Sequence, residues 1–336
     1  MSRCTRSVQR ICSSAARLGS AWALERTLPA DADDQGLAAD MTNRTSPSSR
    51  SLGWIPDVPD IRDFTLEHTE VTALLAGTAA ATVLSGAASR GRRAVATAPT
   101  SADLRRWCTA VEDQGSLGSC TANAAVGLVE YYVKRATGES LDLSRLFVYK
   151  TSRNLLGWQG DQGAYLRTAM QALVMFGSPP ERFHPYDTTR YEEEPTPFLY
   201  ALGSNFKAVK YFRLDLPGEA KTATLARIKQ FIATGHPAMF GFTVYDSIAG
   251  ADSTGEIPFP KGSDRQDGGH AVMAVGYDDK KTIAGKTGAL LIRNSWGTEW
   301  GMSGYGWLPY EYVLTGLADD FWSIQEQAWV SSQQFA

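Results

Sequence analysis

Two residues near the middle of the chain, Gln114 and Cys120, could take part in the hydrolysis of an amide bond. They stand at the two ends of a glycine-bearing segment that leads directly into an apolar helical pattern. A cysteine at the start of a helix can be an activated nucleophile, because the free amides and the positive helix end favour its thiolate. One such cysteine is only a suggestion, so the residues further along the chain decide the interpretation.

His270 is the candidate base for this thiol. A thiol with an ordinary pKa is mostly protonated near neutral pH and needs a base or a cationic partner. His270 begins an apolar run and follows Gly268 and Gly269, which leave room for a substrate backbone beside the ring. Taken alone, His270 could equally be a structural histidine at the end of a strand.

Asn294, Trp296 and Gln114 could supply the remaining parts of a cysteine hydrolase. The amide oxygen of Asn294 can anchor the second ring nitrogen of the histidine, and Trp296 can shield that hydrogen bond from water. The side-chain amide of Gln114 and the backbone N–H of Cys120 can stabilise an oxyanion. Taken individually, Asn294 could be a turn residue, Trp296 a core aromatic and Gln114 a loop cap.

Composition excludes several other classes of function. The formal charge is -3 with 21% charged residues, so we expect no nucleic acid partner. The four histidines and four cysteines show no spacing typical of metal ligands, and the proposed chemistry requires no cofactor. A free thiol at Cys120 fits a reducing compartment, which favours the cytoplasm and leaves a secreted or periplasmic location open.

The surrounding pattern predicts an α+β fold of two halves with the cleft between them. Apolar spacing predicts one helix from Cys120 to Gly138 and another around Leu166–Val174. Short apolar runs then predict strands, at Ala238–Val244, Ala271–Tyr277, Ala289–Arg293 and Tyr305–Leu308. We expect a domain over residues 99–330, mainly helical over 99–205 and mainly β over 206–330.

The segments before the domain carry weaker signals. We expect residues 1–50 to be disordered; they could be a transit peptide, or translation could start at Met41. Residues 51–98 are interpreted as a strap and linker, a candidate prosegment. The uncharged stretch Val71–Ser89 is poor in residues that drive insertion, so we expect no membrane span there, and the arginines of 90–93 are a candidate protease site.

Residues 51–64, called the strap below, contain two prolines that favour extended backbone. Trp54, Ile55 and Phe64 favour burial, so the strap should lie on another surface. We hypothesise that it covers the cleft in a latent form; packing on the back of the fold is the alternative.

Three blocks of the chain resemble the signature segments of papain-family cysteine peptidases, namely 114–120, 269–277 and 293–301. The resemblance covers roughly Pro99 to Trp329, and the Asn-Ser-Trp-Gly-x-x-Trp-Gly block is highly specific. A separation of 150 residues from Cys120 to His270 is at the edge of the expected range. The resemblance implies a papain-like fold, with a helical left half and an antiparallel, β-barrel-like right half.

The resemblance also implies a role for each matching residue. Cys120 would be the nucleophile, His270 its base and acid, Asn294 the orienting residue and Gln114 an oxyanion donor. The expected substrate-binding residues are of three kinds. The glycine that binds the substrate backbone would be Gly163 or a neighbour such as Gly160. The pocket would be lined by Gly241, Gly269 and Ala271, and its aromatic walls would be Trp296 and Trp300. Gly241 and Ala271 would leave the main pocket roomy and apolar.

Two departures from the family pattern indicate a branch. Leu117 stands where plant and lysosomal members carry a disulfide cysteine, and Thr121 replaces the tryptophan after the nucleophile. With the strap and Ser101–Cys108, these departures resemble the bacterial branch.

The sequence therefore predicts a cysteine-type peptidase acting on peptides or proteins through a Cys120 thioester. Two alternatives remain: a transglutaminase-like acyltransferase, which would prefer a carboxylate to Asn294, and a non-catalytic peptide-binding module, which would not need Cys120.

Overall fold

The computed structural model describes residues 50–60, 63–65, 68, 69, 71, 98–208 and 210–324. The predictions for residues 1–49, for the linker 72–97 with its arginines, and for 325–330 lie outside the described residues. No helix among those described is long and apolar enough to cross a membrane.

The described chain combines helices with a single antiparallel sheet, as the α+β prediction required. The helices are α1 Cys120–Thr137, α2 Arg145–Leu156, α3 Leu166–Met175, α4 Pro197–Gly203, α5 Lys221–Ala233 and α6 Glu311–Leu314. The strands are β1 Ser101–Asp103, β2 Tyr211–Arg213, β3 Ala238–Tyr245, β4 Gln266–Ile283, β5 Lys286–Arg293, β6 Tyr305–Pro309 and β7 Ala318–Ile324.

Helix α1 confirms the prediction from apolar spacing. It ends at Gly138, which adopts φ of 79° and places its N–H on the carbonyl of Lys134. Only glycine enters this left-handed conformation without steric cost, so the residue is a helix stop. The helix is buried over most of its length, and it supports the residue at its first position, Cys120.

The sheet brings the second half of the predicted site together. Its seven strands follow the order β2-β7-β3-β4-β5-β6, with β1 added alongside β4. Strand β4 pairs with β3 and β5, so that Phe242 lies opposite His270 and Met273 opposite Arg293. His270 on β4 and Asn294, directly after β5, are therefore neighbours across the sheet.

Two elements differ in type from the main character predicted for the half in which they lie. Strand β1 pairs with β4, although residues 99–205 were predicted to be mainly helical. Helix α5 lies within the predicted β half and buries Leu225, Ile228, Phe231 and Ile232 at helical spacing. Its Thr, Ile and Phe content is typical of strands, which concealed that spacing.

Candidate active site

Cys120 is the first residue of α1 and is fully buried. Burial raises the pKa of its thiol to about 11, although backbone N–H groups of Ala271 and Gly53 act in the opposite direction. The positive end of the helix also favours a thiolate, but removal from water outweighs it here. The described form therefore holds a neutral thiol at neutral pH.

His270 and Asn294 form the expected pair. The imidazole Nε2 lies 2.7 Å from the Asn294 Oδ1, and Nδ1 has no hydrogen-bond partner among the described residues. Asn294 Oδ1 can only accept, so Nε2 carries a proton and Nδ1 is the nitrogen left to serve the thiol. Burial lowers the pKa of His270 to about 4; the Asn294 hydrogen bond raises it, and the charge of Arg50 lowers it.

Trp296 and Trp300 build an aromatic wall around this pair. The Trp296 ring stacks on His270 with centroids 4.4 Å apart, and Trp300 meets Trp296 edge to face at 5.5 Å. The stack keeps the imidazole in one plane and excludes water from its bond to Asn294, which strengthens that bond.

Gln114 is buried and held at both ends of its amide. Its Nε2 donates to the carbonyls of Leu117 and Ser51, both at 2.9 Å, and its Oε1 accepts from Ser295 Oγ at 2.6 Å. The Ser295 hydroxyl thus fixes which way the amide faces. Nε2 already binds a carbonyl oxygen of the strap, the kind of atom that an oxyanion donor must hold.

The strap lies across these residues. The carbonyl of Gly53 accepts from Ala164 N at 2.9 Å, Trp54 N donates to the carbonyl of Gly269 at 3.0 Å, and Ile55 N donates to the carbonyl of Ala164 at 3.4 Å. A Cβ on Gly163 would lie 2.1 Å from the Gly53 oxygen, so a side chain there would exclude the strap. Ala164 thus binds backbone, and Gly163 supplies the space.

Gly160, the other position considered for backbone binding, does not contact the strap in this way. Its carbonyl accepts from Arg153 at 2.7 Å, and only a side-chain atom of Gln162, 4.0 Å away, lies near the position of a Cβ.

The indole of Trp54 fills the predicted main pocket. A Cβ on Gly241 would lie 1.9 Å from the ring, and one on Gly269 would lie 2.4 Å from the Trp54 carbonyl oxygen. Ala271 contacts Cys120 through its backbone. The pocket holds the whole indole, and its floor is not wholly apolar, because Asp320 accepts from Trp54 Nε1 at 3.1 Å.

Sequence reasoning missed Asp320, Ser295, Ala164 and Arg50. Asp320 stands in β7 between Asp319 and Phe321 and is buried, and no short motif marks it. Arg50 pairs with Asp252 and places its guanidinium 4.7 Å from the centre of the Trp296 ring. Ser295 was visible inside the Asn-Ser-Trp-Gly block, but its bond to Gln114 requires the fold.

Metal and disulfide chemistry find no support in the described part of the chain. Its histidine, cysteine, aspartate and glutamate side chains form no group that could hold a metal ion. Both of its cysteines, Cys108 and Cys120, are free.

Known proteins of similar sequence identify the family of this chain. The family model of papain family cysteine proteases matches residues 98–321. An uncharacterised peptidase C1-like protein of Acanthamoeba polyphaga mimivirus is 34% identical over 297 residues, covering 84% of this chain and 89% of that protein. Cathepsin K of Gallus gallus is 32% identical over 212 residues, covering 62% of this chain and 58% of that relative.

Solved structures give the same result. Xylellain, a cysteine protease from Xylella fastidiosa, is 33% identical with a TM-score of 0.63, and the match covers 84% of this chain and 99% of that chain. A digestive procathepsin L 3 of Tenebrio molitor larval midgut, 23% identical with a TM-score of 0.54, shares the fold over 68% of this chain and 70% of its own. The chain belongs to the papain family of cysteine proteases and is a cysteine peptidase.

Proposed function

We propose that the chain hydrolyses internal peptide bonds through a Cys120 thioester. The observation that carries the proposal is the oriented imidazole, with Nε2 fixed by Asn294 and Nδ1 left without a partner among the described residues. His270 Nδ1 takes the thiol proton as Sγ bonds to the scissile carbonyl carbon. The same proton then passes to the leaving amine as the C–N bond breaks.

Deacylation uses the same residues. Water attacks the thioester carbonyl and gives a proton to His270, and the Cys120 sulfur leaves and recovers a proton. In both halves of the reaction the Gln114 amide and the Cys120 backbone N–H hold the oxyanion. Loss of one such donor raises the barrier by about 2.7–4 kcal/mol in comparable sites.

Labelling and hydrolysis together test this assignment. In Gly53→Ala, whose added methyl group displaces the strap, an epoxysuccinyl inhibitor should label Cys120 and a peptide library should be cleaved, whereas adding Cys120→Ala should abolish both. Incorporation of an added amine in preference to water would favour the acyltransferase. A protein that binds peptides without a Cys120 adduct or cleavage would be a binding module.

We further propose that the strap holds the described form latent. The carbonyl of Ser51 occupies Gln114 Nε2, the carbonyl of Gly53 occupies Ala164 N, and Arg50 covers the tryptophan stacked on His270. These contacts use the groups that a substrate needs. Burial under the strap also keeps the pKa of Cys120 above and that of His270 below their ordinary values.

The polarity of the strap explains why it is not itself a substrate. His270 must protonate the leaving amine, so the leaving-group side of the cleft is the side of His270 and Trp296, where Arg50 lies. Trp54 lies on the acyl side and pairs in parallel with Ala164. The strap therefore runs from leaving side to acyl side, whereas a substrate runs from acyl side to leaving side.

A matched pair of glycine substitutions tests latency. A Cβ on Gly53 would lie 1.8 Å from the Gly118 oxygen, so Gly53→Ala in the full chain should lift the strap and raise activity. Gly250→Ala is the control, because nothing lies within 4 Å of a Cβ there. Equal activity of the two variants would contradict the latency proposal and leave the peptidase proposal standing.

A further inference from the structure

The indole of Trp54 occupies a pocket that is fitted closely to its two rings. Trp54 is 6% exposed, and its ring lies directly on the backbone of Gly241, where any side chain would overlap it. The carbonyl of Gly269 holds the Trp54 backbone at 3.0 Å. Glycine at 241 therefore gives the pocket the depth that a two-ring side chain needs.

Asp320 gives the floor of this pocket one open acceptor. Its Oδ1 is held by Trp322 Nε1 at 2.7 Å and by Arg213 at 3.1 Å. Its Oδ2 accepts from Trp54 Nε1 at 3.1 Å. Asp320 also adopts φ of 64°, a conformation that residues with side chains use sparingly. Asp320 is 1% exposed with the indole in place, and removal of the indole takes this donor away from Oδ2.

The charges around the pocket favour a neutral donor over a cation. Arg213 lies 2.7 Å from Asp215 and 3.1 Å from Asp320, and Arg167 lies 2.8 Å from Asp63. Asp63 belongs to the strap and leaves with it. Arg167 then loses Asp57 as well, which is also on the strap, while Arg213 keeps Asp215 and Asp320. A substrate lysine or arginine would therefore find an unpaired arginine nearby and no unpaired carboxylate among these residues.

We propose that the Trp54 pocket selects a tryptophan on the acyl side of the substrate, through the depth at Gly241 and the acceptor at Asp320. The inference rests on the proposed peptidase function. In this inference Trp54 occupies the place that a substrate side chain takes in the open cleft. Asp320, which no short motif marks, then contributes to the choice of that side chain.

Ring-shaped probes test the pocket without any catalysis. In the full-length Trp54→Ala protein, 3-methylindole should bind about tenfold more tightly than 3-methylbenzothiophene, which has the same shape but no N–H donor. Adding Asp320→Asn should shrink this ratio, because a neutral acceptor makes the weaker hydrogen bond. Equal affinities of the two probes in the Trp54→Ala protein would overturn the role of Asp320.

Peptides test the specificity. With full-length Gly53→Ala, kcat/KM is measured for peptides carrying tryptophan, 2-naphthylalanine, phenylalanine or arginine at each of three acyl-side positions. Tryptophan should exceed naphthylalanine about tenfold at one position, and adding Gly241→Ala should shift the preference to smaller side chains.

The outcomes separate the two proposals. Hydrolysis without a tryptophan preference, or with a preference for arginine, overturns the specificity proposal whatever the probes do. If no peptide is cleaved, the peptidase proposal fails, and the probes alone decide whether the pocket recognises an indole.

Discussion

The catalytic residues and the strap meet in one cleft but are held in different ways. Gln114 is fixed by the Ser295 hydroxyl, and His270 by Asn294 and the Trp296 ring. The strap is held at the same place by backbone hydrogen bonds to Ala164 and Gly269 and by one indole. A bound substrate could make the same hydrogen bonds to Ala164 and Gly269 and fill the same pocket. The contacts that hold Gln114 and His270 come from the fold itself and do not depend on what occupies the cleft. On the two proposals, the contacts that orient the catalytic groups are permanent, whereas the contacts that would block the cleft can be exchanged for those of a substrate.

On the catalytic side, a large effect, short of the complete loss expected from Cys120→Ala, comes from Gln114. Gln114→Ala in the Gly53→Ala background should lower kcat by about 10²–10³, because it removes a fixed oxyanion donor. Ser295→Ala, which only releases the Gln114 amide, should cost less and leave KM nearly unchanged. Steady-state kinetics compare the two. Equal losses would mean that Gln114 acts through the loop and not through the oxyanion.

On the strap side, Trp54→Ala should release more activity than any other side-chain truncation among the described strap residues. It removes a buried indole and its hydrogen bond to Asp320, a loss of about 3–5 kcal/mol for buried large-to-small changes. The active fraction should therefore rise by tenfold or more. Val58→Ala is the matched control, because Val58 is 80% exposed on the same segment. Comparable activation by both would show that the indole does not hold the strap.

Thiol reactivity should distinguish the closed from the open cleft. The raised pKa of Cys120, about 11, means that the thiol is protonated at pH 7 and that the thiolate fraction grows as pH rises towards that value. Alkylation of wild type should be slow at pH 7 and rise throughout pH 7–10. Gly53→Ala should react faster at pH 7, as peptide mapping of each cysteine by mass spectrometry will show. Identical pH profiles would contradict burial by the strap.

The smallest effect is expected at the ion pairs that anchor the far end of the strap. Arg167 lies 2.8 Å from both Asp57, which is partly exposed, and Asp63, which is buried. Because Asp63 remains, Asp57→Asn should raise basal activity only two- to fivefold, for a loss of roughly 0.2–1 kcal/mol, and less at high salt. The measurement is initial rate against ionic strength. Activation as large as that of Trp54→Ala would mean that the ion pairs, and not the indole, hold the strap in the cleft.

The sequence pointed to the candidate catalytic residues more directly than to the contacts of the strap and its pocket, for a physical reason. Cys120, His270, Asn294 and Gln114 lie in short segments whose chemistry depends on neighbouring residues, so local sequence carries the signal. The same holds for α1 and the core strands, whose spacing is local.

The Trp54 pocket combines positions from distant parts of the chain. Trp54 favours burial in any setting, but its partners Gly241 and Asp320 lie on β3 and β7, and only the sheet order brings these strands together. Ala164 binds through its backbone, which no residue type signals. Helix α5 was missed for a different reason. Its helical spacing is present in the sequence, but its strand-forming residue types concealed that spacing.

Arg293, the residue before Asn294, connects the strand β5 to helix α1. Its guanidinium passes so close to α1 that a Cβ on Gly127 would lie 2.1 Å from it, and it donates to Thr109 at 3.2 Å. Arg293 therefore joins the helix that carries Cys120 to the strand that leads to Asn294. On the latency proposal, activation then requires detachment of the strap and no separation of the two cleft walls, so its rate should follow the strap's own detachment.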